Sequence, residues 1–207
     1  MAITIMGFTA SSNVQKALWA CGELGLEFTR RELGGKSGGW DRPENMALNP
    51  HRRVPVLIED DFVTWESASI VRYLAERYGK GTLWPLDSRA RAHADRWMDW
   101  QLGTLGPMMR PVYNGLIRTA KADRNEDAIA RGFAALSGAF AVLDFYLAQT
   151  DYVGGDAFSM GDIPVGISTW RWFNMPLDRP DLPHLARWYA SLTERPAYRE
   201  HIMRPLE

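Results

Sequence analysis

The sequence predicts an α/β domain over residues 1–80, followed by an all-α domain over residues 88–207. In the first part, short extended segments alternate with helical patterns, which indicates strands joined by helical connections. In the second part, apolar residues recur only at helical spacing. Gly79-Lys80-Gly81 and Pro85 lie between the two parts and are typical of a linker.

The first domain is expected to run β-α-β, loop, β-β-α. Val14, Ala17, Leu18 and Cys21 share one helical face, which indicates a buried side of the first helix. Cys21 is therefore expected to be a buried structural thiol rather than a nucleophile. The elements are strands at 2–6, 27–31, 55–58 and 62–64, helices at 14–24 and 67–78, and a glycine-rich loop at 34–39.

The second domain opens with a long helical region over residues 88–119. Pro107 and Pro111 are expected to bend it, because proline removes a backbone donor and clashes with the preceding turn. Ser159-Met160-Gly161-Asp162 has the spacing of a capping box that starts a later helix. Further helices are expected at 128–147, 161–174 and 183–193, before a short irregular tail.

Composition excludes several classes of function. The 24 Lys and Arg against 25 Asp and Glu give a net charge of −1, which predicts no nucleic-acid partner. A single cysteine forms no internal disulfide and no thiolate zinc site, and the four histidines lack ligand spacing, so we expect no metal. Residues 1–7 lack a signal-peptide pattern and no long uninterrupted apolar stretch occurs, so we expect a cytoplasmic protein without membrane partners.

The segment around Ser11 follows a strand and starts a helix, where free N–H groups and the helix dipole favour an anion such as a thiolate. Ser12 and Gln15 also have the spacing of a capping box, which is an ordinary structural role. That role accounts for Ser12 and leaves Ser11 either as a functional hydroxyl or as a plain loop residue.

Two further signals lie downstream. Pro55, after Val54, either occupies a cis peptide or is an ordinary proline at a strand start. Glu66 precedes Ser67, the expected N-cap of the next helix, so a carboxylate and backbone donors lie side by side. This pair can bind a zwitterion: the backbone N–H groups donate to its carboxylate, and Glu66 pairs with its ammonium.

Taken together, these segments resemble the cytosolic glutathione transferases, in particular the bacterial and theta-like members that use serine. The resemblance covers nearly the whole chain and implies a thioredoxin-like N-terminal domain and an all-helical C-terminal domain. The matching segments are Ser11-Ser12-Asn13-Val14-Gln15-Lys16, Ala47-Leu48-Asn49-Pro50, Arg53-Val54-Pro55-Val56-Leu57 and Glu66-Ser67-Ala68-Ser69-Ile70.

The resemblance implies a role for each matching residue. Ser11 would donate to the glutathione sulfur, with Asn13 as neighbour or substitute donor. Val54, before a cis Pro55, would pair with the cysteinyl residue. Glu66 and Ser67 would hold the γ-glutamyl end, and Arg53, with Arg52 or Trp40, the glycine carboxylate.

The resemblance also implies a cytoplasmic homodimer that detoxifies small hydrophobic electrophiles, with glutathione as co-substrate. The helical domain would contribute the electrophile site, for which Met108, Met109 and Tyr113 are the candidates, although core packing explains such residues equally well. Glutathione-dependent disulfide reduction, peroxide reduction or isomerisation, and non-catalytic binding, are the alternative functions.

One departure from the family pattern concerns Arg52. Related sequences often carry glycine at this position of an Asn-Pro-x-Gly-x-Val-Pro turn, where this chain has His51-Arg52-Arg53. The turn must therefore either allow a side chain or hold Arg52 in a strained conformation.

Overall fold

The computed structural model describes residues 2–207, which form two compact units, one ending at Trp84 and the other beginning at Pro85. The break lies within the segment that the glycines and prolines mark as a linker. The first unit is α/β and the second is helical, which confirms the predicted fold class.

The first unit contains a four-stranded mixed sheet with the strand order β2-β1-β3-β4. Strand β1 pairs parallel with β2 and antiparallel with β3, and β3 pairs antiparallel with β4. The sequence did not anticipate α2, because it is only six residues long and buries just Asn45. The elements are β1 (Ile3–Met6), α1 (Ser12–Glu23), β2 (Phe28–Arg31), a 3₁₀ turn (Gly35–Ser37), α2 (Pro43–Leu48), β3 (Val56–Glu59), β4 (Phe62–Trp65) and α3 (Ser67–Tyr78).

Helices α1 and α3 pack against each other, and the apolar face that periodicity predicts for α1 is buried. Val14 and Leu18 of α1 are buried, as are Ile70 and Leu74 of α3. Cys21 is also fully buried, and burial raises the pKa of its thiol to about 12. The only cysteine is therefore a structural residue, as expected from its place on the apolar face.

The second unit contains six α-helices. Its long first region is continuous from Ser88, but segments of wide π-type turns at Gln101–Leu105 and Asn114–Arg118 flank the part that holds both prolines. The regular α-helical hydrogen bonding thus changes on both sides of the proline-containing part, and the bend expected at the two prolines stays a prediction. The helices are α4 (Ser88–Trp100), α5 (Gly106–Tyr113), α6 (Glu126–Leu147), α7 (Asp162–Asn174), α8 (Pro183–Thr193) and α9 (Pro196–His201).

Helix α9 corrects the expectation of an irregular tail. Pro196 occupies its first turn, where proline is tolerated, and Tyr198 is buried with its hydroxyl donating to the Gly166 carbonyl at 2.9 Å. A six-residue helix is too short to show periodicity in the sequence, and its stability comes from this tertiary contact.

Buried Asp162 organises the start of α7. Its carboxylate accepts hydrogen bonds from the backbone N–H groups of Val153 (3.1 Å) and Ser159 (2.9 Å) and from the Trp188 indole (3.0 Å). Burial raises the pKa of Asp162 to about 6, although these hydrogen bonds act in the opposite direction. The bond from the Ser159 N–H is the carboxylate half of the predicted capping box. The other half is absent: Gly161 is the N-cap of α7, and the Ser159 hydroxyl donates to the Asp162 carboxylate at 3.3 Å instead of capping the helix.

Helix α6 has the length and apolar composition of a membrane span, with a mean hydropathy of 1.4. A core helix of a soluble protein meets the same criterion, so one such helix is weak support for a span. Helix α6 packs against α5 and α8, and it buries Leu136, Phe140 and Leu143.

Candidate functional site

A cavity of about 510 Å³ lies in the first unit, where the loops after β1 and β2 and the turn before β3 meet the starts of α1 and α3. Every residue that the sequence assigned to catalysis or to glutathione binding lines this cavity. The lining residues are Phe8, Ser11, Asn13, Gly34, Gly35, Trp40, Asn49, Arg52, Arg53, Val54, Pro55, Glu66 and Ser67.

Ser11 is the N-cap of α1, and this corrects the expectation that Ser12 fills that role. The Ser11 hydroxyl oxygen accepts from the Val14 backbone N–H at 3.5 Å, while Ser12 is already the first helical residue. As an acceptor in this bond, the hydroxyl keeps its own proton available for donation to a ligand. Ser12 is not among the residues that line the cavity.

Asn13 links the starts of the two helices. Its side-chain oxygen accepts from the Ser67 hydroxyl and from the Lys16 ammonium, each at 3.2 Å. Ser67 is the first residue of α3 and Glu66 is its N-cap, so the expected capping role of Ser67 is wrong by one residue. Its hydroxyl bonds to Asn13 instead of capping its own helix.

Two glycines form the wall of the cavity beside Trp40. A side chain at Gly34 would lie 3.2 Å from the Trp40 indole nitrogen, and one at Gly35 would lie 2.9 Å from the Phe8 ring. Both glycines have positive φ angles, +75° and +58°. Only glycine fits such close approaches in this backbone conformation.

Buried Asn49 holds the turn that carries the two arginines. Its side chain donates to the Arg53 carbonyl and accepts from the His51 N–H, both at 2.9 Å. Its own carbonyl accepts from the Arg52 N–H at 3.0 Å. Arg52 has a φ of +52°, which resolves the question raised by the missing glycine: the arginine adopts a left-handed conformation.

The Val54–Pro55 peptide bond is cis, as the resemblance implies. Pro55 immediately precedes β3, and Val54 lies one residue before it, outside the sheet ladder. Within residues 2–207, the N–H and C=O groups of Val54 make no hydrogen bond. An extended ligand in the cavity therefore has main-chain groups with which to pair.

Glu66 also lines the cavity, immediately before α3. It is exposed, its φ is +69°, and its carboxylate caps no backbone group. The first N–H groups of α3 have no partner within the helix, as at any helix start. Glu66 and Arg52 are two of the three non-glycine residues with positive φ in the described chain, and both line the cavity.

The cavity contains charges of both signs. Glu66 supplies one negative charge beside a helix N-terminus, while Arg52 and Arg53 supply two positive charges on the turn before Val54. Within residues 2–207, none of these three side chains forms a salt bridge. They are available to a ligand that carries opposite charges at its two ends.

Comparison with known proteins gives the family. Residues 5–82 match the model of the glutathione S-transferase N-terminal domain, and residues 94–196 match that of the C-terminal domain. The chain is 40% identical over 207 residues to glutathione S-transferase GstB of Escherichia coli K12, with 99% of each chain covered. The chain belongs to the glutathione S-transferase family. It is an enzyme of the glutathione transferase class, for which glutathione is the co-substrate.

A solved structure of a theta-class glutathione S-transferase from Xanthomonas axonopodis pv. citri, with glutathione bound, is 45% identical to this transferase. The two share a TM-score of 0.95 and align over 99% of each chain. Glutathione S-transferase D7 of Drosophila melanogaster is 31% identical over 80% of this chain and 72% of its own.

Some residues of the transferase cavity were not assigned from the sequence. Phe8, Gly34 and Gly35 shape its wall, and Asn49 holds its turn. Asn49 lies in one of the quoted family segments, and an asparagine before a proline is a known turn signal. The glycine-rich composition predicted a loop at residues 34–39. It did not identify which of its glycines approach an aromatic ring.

The electrophile-site candidates of the transferase lie on α5. Met109 and Tyr113 are buried, and the Tyr113 hydroxyl donates to the Glu207 carbonyl at 2.9 Å. Their positions agree with the core role that was the alternative at the sequence level. Met108 is half-buried and is the candidate of the three with the most accessible side chain.

Proposed function

We propose that this cavity holds glutathione in an extended conformation and activates its thiol for attack on a small hydrophobic electrophile. The observation that carries this assignment is the charge pattern. Glutathione has an ammonium and a carboxylate at its γ-glutamyl end and a second carboxylate at its glycine end. The cavity offers a carboxylate beside a helix N-terminus at one place and two arginines at another.

In this arrangement, each part of glutathione has a partner. The N–H groups at the start of α3 donate to the γ-glutamyl carboxylate, and Glu66 pairs with the ammonium of the same residue. The cysteinyl main chain pairs with the N–H and C=O of Val54, next to Pro55. The glycine carboxylate pairs with the Arg53 guanidinium, and Arg52 and the Trp40 indole lie beside it.

Ser11 then acts on the sulfur. Its hydroxyl proton is not used by the bond from Val14, so it can donate to the thiolate and stabilise the negative charge. A decrease of about 2 units in the thiol pKa corresponds to about 2.7 kcal/mol of differential stabilisation. More thiolate at neutral pH gives a better nucleophile.

The chemical step is a nucleophilic displacement or addition. The thiol proton leaves to solvent, and the thiolate sulfur attacks an electron-poor carbon of the electrophile. A carbon–sulfur bond forms while the leaving group departs with its bonding electrons, or while a π bond shifts its electrons to an acceptor atom. No cofactor besides glutathione and no metal enters this scheme.

Reduction through an enzyme disulfide is the less favoured chemistry. Cys21 is fully buried and has a raised thiol pKa, so it is a poor nucleophile toward a bound disulfide. Turnover of hydroxyethyl disulfide or of an organic hydroperoxide that exceeds turnover of aryl halides would reverse this ranking.

We also propose a cytoplasmic homodimer whose role is detoxification. Helix α6 supports this oligomeric state, because Val142 and Phe145 are 60% and 73% exposed on one of its faces. Ala134, Ala135, Gly138 and Ala141 are exposed on the same helix. Small apolar side chains allow close helix approach, and a second copy of this chain would cover them.

Calorimetric titration with glutathione and two truncated peptides tests the charge assignment. Wild type should bind glutathione more tightly than cysteinylglycine, which lacks the γ-glutamyl end, and more tightly than γ-glutamylcysteine, which lacks the glycine. Glu66→Gln should reduce discrimination against cysteinylglycine only, and Arg53→Gln discrimination against γ-glutamylcysteine only. Equal loss of discrimination in both variants would contradict the assignment of the two ends.

A further inference from the structure

Lys16 is a charged residue in the interior of the first unit to which the proposed function gives no role. The residue is only 2% exposed, although it lies on α1 one turn after Asn13. The Lys16 ammonium donates to the Asn13 side-chain oxygen at 3.2 Å, and the Ser67 hydroxyl donates to the same oxygen at 3.2 Å. Burying a lysine is costly unless its charge is stabilised by hydrogen bonds.

These two bonds determine which end of the Asn13 amide a ligand meets. Lysine has donors and no acceptor, so the amide atom that faces it must be the oxygen. With its oxygen held by Lys16 and Ser67, Asn13 has its NH₂ group to offer in the cavity that it lines. That group donates hydrogen bonds and therefore favours an anion over a neutral thiol.

The same bonds constrain Ser67. Its hydroxyl proton is directed to Asn13, so the hydroxyl can offer only its lone pairs to a ligand. Lone pairs suit the γ-glutamyl ammonium and not the carboxylate, which is left to the backbone N–H groups of α3. Lys16 and Ser67 thus share the Asn13 oxygen, so Lys16 is connected through Asn13 to the start of α3.

We propose that Lys16 is a positioning residue for the thiolate. It fixes the Asn13 amide with its NH₂ group as a second donor to the glutathione sulfur, beside Ser11, and its charge polarises that amide so that the donor is stronger. The inference rests on the proposed function, since it concerns the thiol of bound glutathione. It adds to that function a residue that does not itself line the cavity.

The test compares Lys16→Met with Lys16→Arg, and with Lys80→Met as a control for the same charge change at an exposed lysine of the same unit. The ultraviolet absorbance of the bound thiolate is followed against pH. We expect Lys16→Met to raise the bound thiol pKa by roughly 0.5–1 unit and to lower kcat/KM at pH 6.5 about 3- to 10-fold. Lys16→Arg should keep the bound thiol pKa and kcat/KM close to their wild-type values, and Lys80→Met should match wild type.

A double-mutant cycle tests whether Lys16 acts through Asn13. In an Asn13→Ala background, Lys16→Met should produce little further shift of the thiol pKa. A full further shift in that background would overturn the positioning role. If Lys16→Met does not fold, Lys16→Gln replaces it, because glutamine keeps a donor and removes the charge.

The outcomes separate the two proposals. A wild-type protein that binds glutathione without lowering its thiol pKa contradicts the proposed activation itself. A wild-type protein that lowers this pKa, together with a Lys16→Met variant that lowers it equally, overturns only the role of Lys16.

Discussion

At the scale of single residues, the cavity depends on backbone conformations that few residue types tolerate. Gly35 has a φ of +58° and would place a side chain 2.9 Å from the Phe8 ring. Gly38 has nearly the same φ, +59°, but has open space around it. This pair allows the cost of the conformation to be separated from the cost of the contact.

We predict that Gly38→Ala lowers the free energy of unfolding by about 1–3 kcal/mol through its backbone conformation alone, because side chains rarely adopt a φ of 59° with a ψ of −135°. Gly35→Ala should cost about 1–3 kcal/mol more, because the new methyl group displaces Phe8. Urea unfolding measures both, and calorimetry should show weaker glutathione binding in Gly35→Ala only. Equal behaviour of the two variants would mean that the Phe8 contact does not shape the cavity.

Arg52 is the residue at which this chain departs from the pattern of its relatives. Its φ of +52° costs about 1–2 kcal/mol for a side chain, and glycine loses about 0.5–1 kcal/mol more entropy on folding. Arg52→Gly should therefore raise the free energy of unfolding by up to about 1.5 kcal/mol in a urea titration.

Arg52→Ala is the matched variant, because it removes the same cation and keeps the left-handed conformation. It should show no gain in stability. If Arg52 contacts the glycine carboxylate, both variants should weaken glutathione binding equally. A gain in stability for alanine would contradict the account of backbone strain at this turn.

At the scale of elements, the start of α7 depends on a carboxylate whose pKa is raised to about 6 by burial. A raised acid pKa makes the folded state bind its proton more tightly than the unfolded chain does. This contribution to stability is complete below the ordinary aspartate pKa near 4 and is lost as the pH rises through 6. The change amounts to about 3 kcal/mol.

We therefore predict that the stability advantage of wild type over Asp162→Asn is larger at pH 4 than at pH 7. The asparagine does not titrate, so all other pH effects on stability cancel in the comparison. Urea unfolding of both proteins at the two pH values measures the difference. An advantage that is constant, or that grows toward pH 7, would mean that the hydrogen bonds outweigh burial at Asp162.

The sequence was sufficient to predict the elements that have several buried positions at regular spacing. Helices α1, α3 and α8 begin and end within two residues of their predicted bounds. The two short helices, α2 and α9, were missed because six residues give no periodicity.

Two helix caps were placed one residue late, at Ser12 and Ser67, and a third was placed two residues early, at Ser159 instead of Gly161. Serine is a good N-cap at several neighbouring positions, so the sequence identifies a cap region rather than the capping residue. The link between Asn13 and Ser67 could not be predicted, because 54 residues separate these side chains in the chain and only the fold brings them together.

At the scale of the whole molecule, the prediction concerns the oligomeric state, which is proposed to be a homodimer. Phe145→Asp places a charge on the exposed face of α6, which should be costly once a second copy covers it. Sedimentation at micromolar concentration should give a dimer of the 23.5 kDa chain for wild type and a monomer for the variant.

Leu86→Asp is the control, since Leu86 is 69% exposed and lies outside α6, near the linker. This variant should remain dimeric. A wild-type protein that sediments as a monomer would contradict the homodimer, and a dimeric Phe145→Asp would show that another surface mediates association.

The central claim is that this cavity converts the glutathione thiol into a thiolate through Ser11. The direct measurement is the ultraviolet absorbance of the thiolate of bound glutathione against pH, in wild type and in Ser11→Ala. We predict a bound thiol pKa about 2 units below its value in free glutathione, with most of that shift lost in Ser11→Ala. An identical pKa in the two proteins would contradict the claim and leave Asn13 as the donor to test.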